Sequence, residues 1–228
     1  MNNCHFKFVF GAMGCGKTAR LRGDYFSKVG DNFEAIIVKP KIDTKGDRCI
    51  ETRDGSKLEA TFVLNKEDNI YQLVTEYLFL NTLDFIFVDE IEFLTEEQII
   101  QLAKIVDKLG INVIGYGIIT DFLGNMFPGA VHTMEWADQF EYLERQCSCG
   151  NLKIRNMRLE NGIPVFDGEQ ISIDGVDSTY EPVCRNCYER EKNKAKKRIL
   201  KMKSNSKCLW FYFFIYIISY LFVVDYYN

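Results

Sequence analysis

The sequence predicts an α/β protein: a parallel sheet with helices on both faces, followed by a small metal-bound lid. Two observations carry that prediction. In the first 145 residues, short continuous apolar runs alternate with stretches of helical spacing. From residue 146 the pattern gives way to paired cysteines around a glycine-rich stretch with no long helix. Continuous apolar strands separated by helices belong to a parallel sheet buried on both faces. At 47% hydrophobic and 26% charged, the 228-residue chain excludes wholesale disorder and fibrous repeats. It has room for one large domain and an accessory module, divided as 1–145, 146–190 and 191–228.

Each element has a local reason. Phe6–Phe10 is an apolar run that ends in glycine, Ile36–Val38 is a second, and Asp84–Val88 is a third that ends in two acids. Asn112–Ile118 is a fourth. The residues from Thr18 to Val29 are compatible with a helix. Asn65–Asn81 reads as a helix with Ile70, Leu73, Val74, Tyr77 and Leu78 inward. The clearest helix follows Leu94: Thr95 with Gln98 three residues on is a capping-box signature, and Gly110 ends the apolar periodicity. Residues 161–182 read as hairpins and loop, and 188–203 as a basic helix.

Gly11-Ala12-Met13-Gly14-Cys15-Gly16-Lys17-Thr18 fits G-x-x-x-x-G-K-[ST], with a strand before it and a helix after it. Glycines let the backbone wrap a phosphate, and N–H groups at the helix start point at the anion. Lys17 would reach the β- and γ-phosphates of ATP and Thr18 would ligate Mg²⁺. Asp89 ends a buried strand at the sheet edge where ligands bind, as a second Mg²⁺ group through water. Glu90 beside it can take a proton from an attacking hydroxyl or water. These residues alone leave kinase and triphosphatase both open.

Cys147-x-Cys149 and Cys184-x-x-Cys187 offer four thiolates from two short loops. Four soft ligands suit a tetrahedral, structural Zn²⁺ with no open position. The opening residues lack a basic start, an apolar core and a small-residue cleavage site, so a cytoplasmic location with reduced cysteines is expected. The net charge of −4 conceals a split: residues 185–207 carry ten Lys/Arg against two Glu, so the body is acidic. An acidic body argues against a core that coats nucleic acid. Residues 209–224 are apolar or aromatic apart from one Ser. Sixteen positions fall short of the ~20 a spanning helix needs, and a membrane contact by this tail is open but not favoured.

Taken together, several segments resemble the zinc-containing type II thymidine kinases. The glycine loop matches with Met13 at its third position, and the family's DEAQF is matched by Asp89-Glu90-Ile91-Glu92-Phe93. Its Y-G-[LI]-x-T-D-F is matched by Tyr116–Phe122. Its cysteine-rich run is matched by Cys147, Cys149-Gly150, Arg158-Leu159, Gly175, Tyr180, Cys184-Arg185 and Cys187-Tyr188. The blocks follow family order over about residues 6–188.

The resemblance implies transfer of the ATP γ-phosphoryl group to the 5′-hydroxyl of thymidine, with Glu90 as general base. It implies a nucleoside pocket of Met13, Phe93, Ile118, Phe122, Asn156 and Tyr180. The loop Ile171-Ser172-Ile173-Asp174-Gly175 would hold the thymine ring through backbone groups, and zinc would pin both ends of that lid. A homotetramer is implied as well, with no nucleic-acid partner. Three departures stand out. Glu92 replaces the family's Gln, adding a third carboxylate that would raise a neighbouring pKa or draw more metal. Asp43-Thr44-Lys45 replaces D-x-R, putting a point charge where a planar fork would face the phosphates. Asn156 stands where Thr is common. A P-loop ATPase and a zinc-ribbon nucleic-acid binder are the competing readings.

Overall fold

The computed structural model describes residues 4–41, 48–51, 55, 57–168, 170 and 178–201. Asp43, Lys45, the 171–175 loop and the 209–224 tail lie outside them. The predicted parallel sheet is present. Six strands, β1 (Phe6–Phe10), β2 (Ala35–Pro40), β5 (Phe62–Leu64), β6 (Phe85–Val88), β7 (Asn112–Gly117) and β8 (Gln139–Tyr142), pair in the order β5-β2-β6-β7-β1-β8. All five pairings are parallel. A short antiparallel hairpin, β3 (Cys49–Glu51) with β4 (Lys57–Glu59), stands apart from this sheet.

Alternation within the strands sends side chains to both faces, and each face is covered. Phe8, Ile36, Ile86 and Val113 point to one side, where they meet Val74, Ile99 and Leu102 from α2 (Ile70–Tyr77) and α3 (Glu96–Lys104). Val9, Ile37, Phe87 and Tyr116 point to the other, against Leu21 of α1 (Lys17–Gly30). Fully burying such a side chain contributes about 1.5–3 kcal/mol, so the two-sided core dominates the stability.

The helices differ from the sequence reading at their ends. The capping box at Thr95 and Gln98 is formed, and α3 runs on through a wider π-type turn, Ile105–Leu109, to Gly110. The helix expected over Asn65–Asn81 is shorter, because Asp68 accepts from Asn65 N–H and holds those residues in a turn. Asn69 then caps the helix through Gln72 N–H, and Gln101 Oε1 accepts from Ile70 N–H. A further helix, α4 (Pro128–Trp136), went unread in the sequence.

The remaining chain forms a three-stranded antiparallel sheet, β10 (Ile163–Val165), β9 (Arg155–Glu160) and β11 (Ser178–Val183), in that order. Met157 and Val183 pack with Cys147, Cys184, Cys187 and Tyr188 in a small cluster of their own. Residues 185–201 are helical, slightly offset from the expected 188–203. Among the described residues no helix is long and apolar enough to cross a membrane.

Helix α4 meets the turn that follows β6 at Gly129. A Cβ there would lie 2.6 Å from the carbonyl oxygens of both Glu92 and Leu94. Backbone cannot yield as a side chain can. Gly129→Ala is therefore expected to destabilise by about 1–3 kcal/mol. Thermal melting checks this, and an unchanged midpoint would mean that α4 is free to slide.

Candidate active site

The carboxyl ends of β1, β2, β6 and β7 all reach one edge of the sheet, because the strands are parallel. Beyond β1 the chain turns through the glycine loop into α1, and Gly16 stands at the helix N-cap with φ +98°. A left-handed residue there suits glycine, since any Cβ would be strained. The first N–H groups of α1 have no carbonyl one turn back, so they face the site as anion donors. Lys17 folds over its own loop: Nζ donates to Gly11 O and Ala12 O, both at 3.1 Å, and lies 3.8 Å from Cys15 Sγ.

Beyond β6 come the acids. Glu90 has φ +51°, in the left-handed region that non-glycine residues seldom occupy. Such conformations cost of order 1–3 kcal/mol and collect at functional sites. The turn ends the strand abruptly. Asp89 is buried, and that burial, with the adjacent Glu90 charge, pushes its carboxyl up to about 7 against the pull of Lys39 and Lys17. Glu92 is 4% exposed, and its Oε2 has no hydrogen-bond partner among the described residues. Burial, the largest cause, pushes Glu92 up to about 8. Glycine at residue 117 leaves room for that carboxyl, since a Cβ there would press on Oε2.

These groups open on one cavity of about 330 Å³. Met13, Gly14, Lys17, Thr18, Asp89, Glu90 and Glu92 form its polar end. Phe93, Ile118, Phe122, Phe127, Asn156 and Tyr180 form the rest of its wall, so every expected nucleoside-pocket residue outside 171–175 is gathered there. Phe93 and Phe127 meet edge to face at 5.3 Å. Phe122 is buried under the Arg158 guanidinium, 4.5 Å from its ring, and its carbonyl accepts from Tyr188 OH at 2.6 Å. Gly11 and Ala12 line a second cavity of about 240 Å³ behind the loop.

Sequence reasoning gave no role to three contributors. Lys39, buried at 5% exposure, ends an otherwise apolar strand and supplies a cation in the field of Asp89. A lysine interrupting a buried parallel strand was the available signal. Asp121 builds the loop beside Phe122, its Oδ1 accepting from the N–H groups of Leu123, Gly124 and Asn125. Phe127 completes the aromatic wall, and no local pattern marks it.

The four cysteines converge as the spacing implied. Their sulfurs all lie within 4.8 Å of one another, with Sγ–Sγ separations of 3.4 Å (Cys149–Cys184), 3.7 Å (Cys149–Cys187) and 3.9 Å (Cys147–Cys187). A tetrahedron with Zn–S bonds of about 2.3 Å has edges of about 3.8 Å, so the set fits zinc. Among the described residues it is the one group of three or more metal-ligating side chains that converges in this way. The carboxylates of Asp89, Glu90 and Glu92 are not among the groups of the described residues that converge in this way.

Two outcomes follow. Cys184→Ser should lose bound metal, about one zinc per chain in the parent by metal analysis, and with it the order of the small sheet. Metal retained in that variant would mean that the cysteines are not its ligands. For Glu92, the unfolded carboxyl ionises near 4.5 and the folded one near 8. Its raised pKa therefore adds no penalty below pH 4.5, and stability falls progressively as pH rises to about 8. Glu92→Gln should melt higher than the parent by an amount that grows across that window, on the order of a few kcal/mol at pH 8. Parallel pH curves for the two proteins would contradict the buried-acid account.

Comparison with known proteins agrees with this geometry. The family model described as Thymidine kinase matches residues 4–188. A thymidine kinase of Legionella pneumophila (strain Paris) is 37% identical over 188 residues, covering 80% of this chain and 88% of that protein. One from Aliivibrio fischeri is 36% identical over 186 residues, covering 80% and 95%. One from Coxiella burnetii is 34% identical over 184 residues, covering 79% and 93%. Among solved structures, a Bacteroides Pif1 helicase bound to single-stranded DNA has a TM-score of 0.29 at 16% identity, over 51% of this chain and 29% of its own, too slight a likeness to inform fold or function. The matched span takes in the glycine loop, the acids after β6 and all four cysteines, and the chain belongs to the thymidine kinase family.

Proposed function

We propose that the protein transfers the γ-phosphoryl group of ATP to the 5′-hydroxyl of thymidine. The observation that carries this reading is the shared cavity: a phosphate loop and a strained acid at one end, aromatic walls at the other. A hydrolase needs a place for water, whereas this site offers a flat ring a place to lie between aromatic side chains. The relatives' names point to the same chemistry.

In this reading ATP enters with its phosphates over the start of α1, where the loop N–H groups receive them. Lys17 leaves the carbonyls of Gly11 and Ala12 for the β- and γ-phosphates, exchanging weak internal bonds for charge-assisted ones. Thr18 and Asp89, both on the cavity wall, are the residues suited to hold Mg²⁺. Bound there, the ion neutralises charge on the phosphate oxygens. Phe93, Phe122, Phe127 and Tyr180 clasp the thymine ring and direct the 5′-hydroxyl back toward the acids. Glu90 then accepts the hydroxyl proton as the 5′-oxygen attacks the γ-phosphorus in line and the bond to the β,γ-bridging oxygen breaks, releasing ADP. Asp43 and Lys45 are assigned to the ATP side and residues 171–175 to the thymine edge on the resemblance alone. The zinc is structural, closing both ends of the 146–190 lid on the 1–145 nucleotide-binding body, with 191–228 as a separate tail. A cytoplasmic homotetramer completes the proposal.

Glu90→Gln preserves shape and removes the proton acceptor. Turnover to thymidylate should fall roughly 10²–10⁴-fold while ATP affinity stays near that of the parent. Near-parental turnover would remove Glu90 from the base role, and lost ATP affinity would make it a ligand of the nucleotide.

A further inference from the structure

Asn156 lies in β9, the central strand of the small sheet, and is 3% exposed. Its side chain turns away from the cysteine cluster and reaches two distant main-chain segments. Oδ1 accepts from Met13 N–H at 2.8 Å, inside the phosphate loop. Nδ2 donates to Thr120 O at 3.1 Å, in the loop that carries Ile118 and Phe122. The partners fix which end of the amide is oxygen, since an N–H requires an acceptor and a carbonyl a donor. The same residue lines both the 330 Å³ cavity and the 240 Å³ cavity, so it is part of the partition between them.

Each polar atom of the amide holds a main-chain partner, Met13 N–H at Oδ1 and Thr120 O at Nδ2. Two residues on along β9, Arg158 covers Phe122, so the small sheet grips the same wall twice. Thr120 belongs to the nucleoside wall and Met13 to the phosphate loop, and the amide is the fork between them.

We infer that Asn156 is a positioning residue that couples nucleoside binding to the conformation of the phosphate loop, an inference that rests on the thymidine kinase reading. A nucleoside seated against Ile118 and Phe122 fixes the Thr120 end of the fork, and the Met13 end is then held ready for ATP. Such coupling is reciprocal, so each substrate tightens the other by the same factor.

The test uses the full chain and two variants, Asn156→Ala and Asn156→Asp. Alanine removes both bonds. Aspartate keeps an acceptor for Met13 N–H but sets a second oxygen against Thr120 O, so it breaks the fork with little change in volume. Affinity for a non-hydrolysable ATP analogue with Mg²⁺ is measured by calorimetry, without and with saturating thymidine. The parent should show a tightening of about 5–150-fold, and either variant should bring that ratio near unity. A residue that merely supported the fold would weaken both affinities and leave the ratio intact. Parental ratios in both variants, or no tightening in the parent, would overturn the inference. Thymidylate formation by the parent is assayed alongside: if it is absent, the kinase reading itself has failed, and if it is present with unchanged ratios, only the role of Asn156 has.

Discussion

Unlike charges gathered at a buried sheet edge are the constraint on which the rest of this structure depends. Asp89, Glu92 and Lys39 are all nearly inaccessible, and Lys17 and Glu90 stand beside them on the cavity wall. An isolated charge in such a place would be expelled or neutralised. Here burial pushes both carboxyls up in pKa, while Lys17 pulls both down and Lys39 pulls Asp89 down. The parallel ladder is what makes the gathering unavoidable, because it delivers the ends of four strands to one edge.

Much of this was legible in the sequence because it is local. The glycine loop and the strands at Phe6, Ile36, Asp84 and Asn112 depend on residues close together in the chain. So does the capping box at Thr95. The edge strand Gln139–Tyr142 was missed because its residues alternate polar and aromatic and it pairs along one side only. Phe62–Leu64 is too short to show a period. Helix α4 lacks an amphipathic stripe: it is placed by Pro128 at its start and by the close approach of Gly129 to the backbone after Glu92. Lys39 and the fork at Asn156 depend on partners far away in the chain, and no spacing rule reaches that distance.

The cysteine-rich sheet lends the site what the parallel sheet cannot. Strands supply only their ends, so the open side of the cavity needs a second body to close it. Tyr188, next to a cysteine of the metal set, donates to the carbonyl of Phe122, and Arg158 lies over the ring of that residue. The cysteine cluster is thereby tied to the aromatic wall through two contacts.

The central claim is that this cavity moves a phosphoryl group to a nucleoside hydroxyl and not to water. Following the label from γ-phosphate-labelled ATP in the presence of thymidine tests it most directly. The account predicts label in thymidine 5′-monophosphate, with little release as inorganic phosphate. Label released as inorganic phosphate at the same rate with or without thymidine, and no labelled nucleotide product, would contradict it.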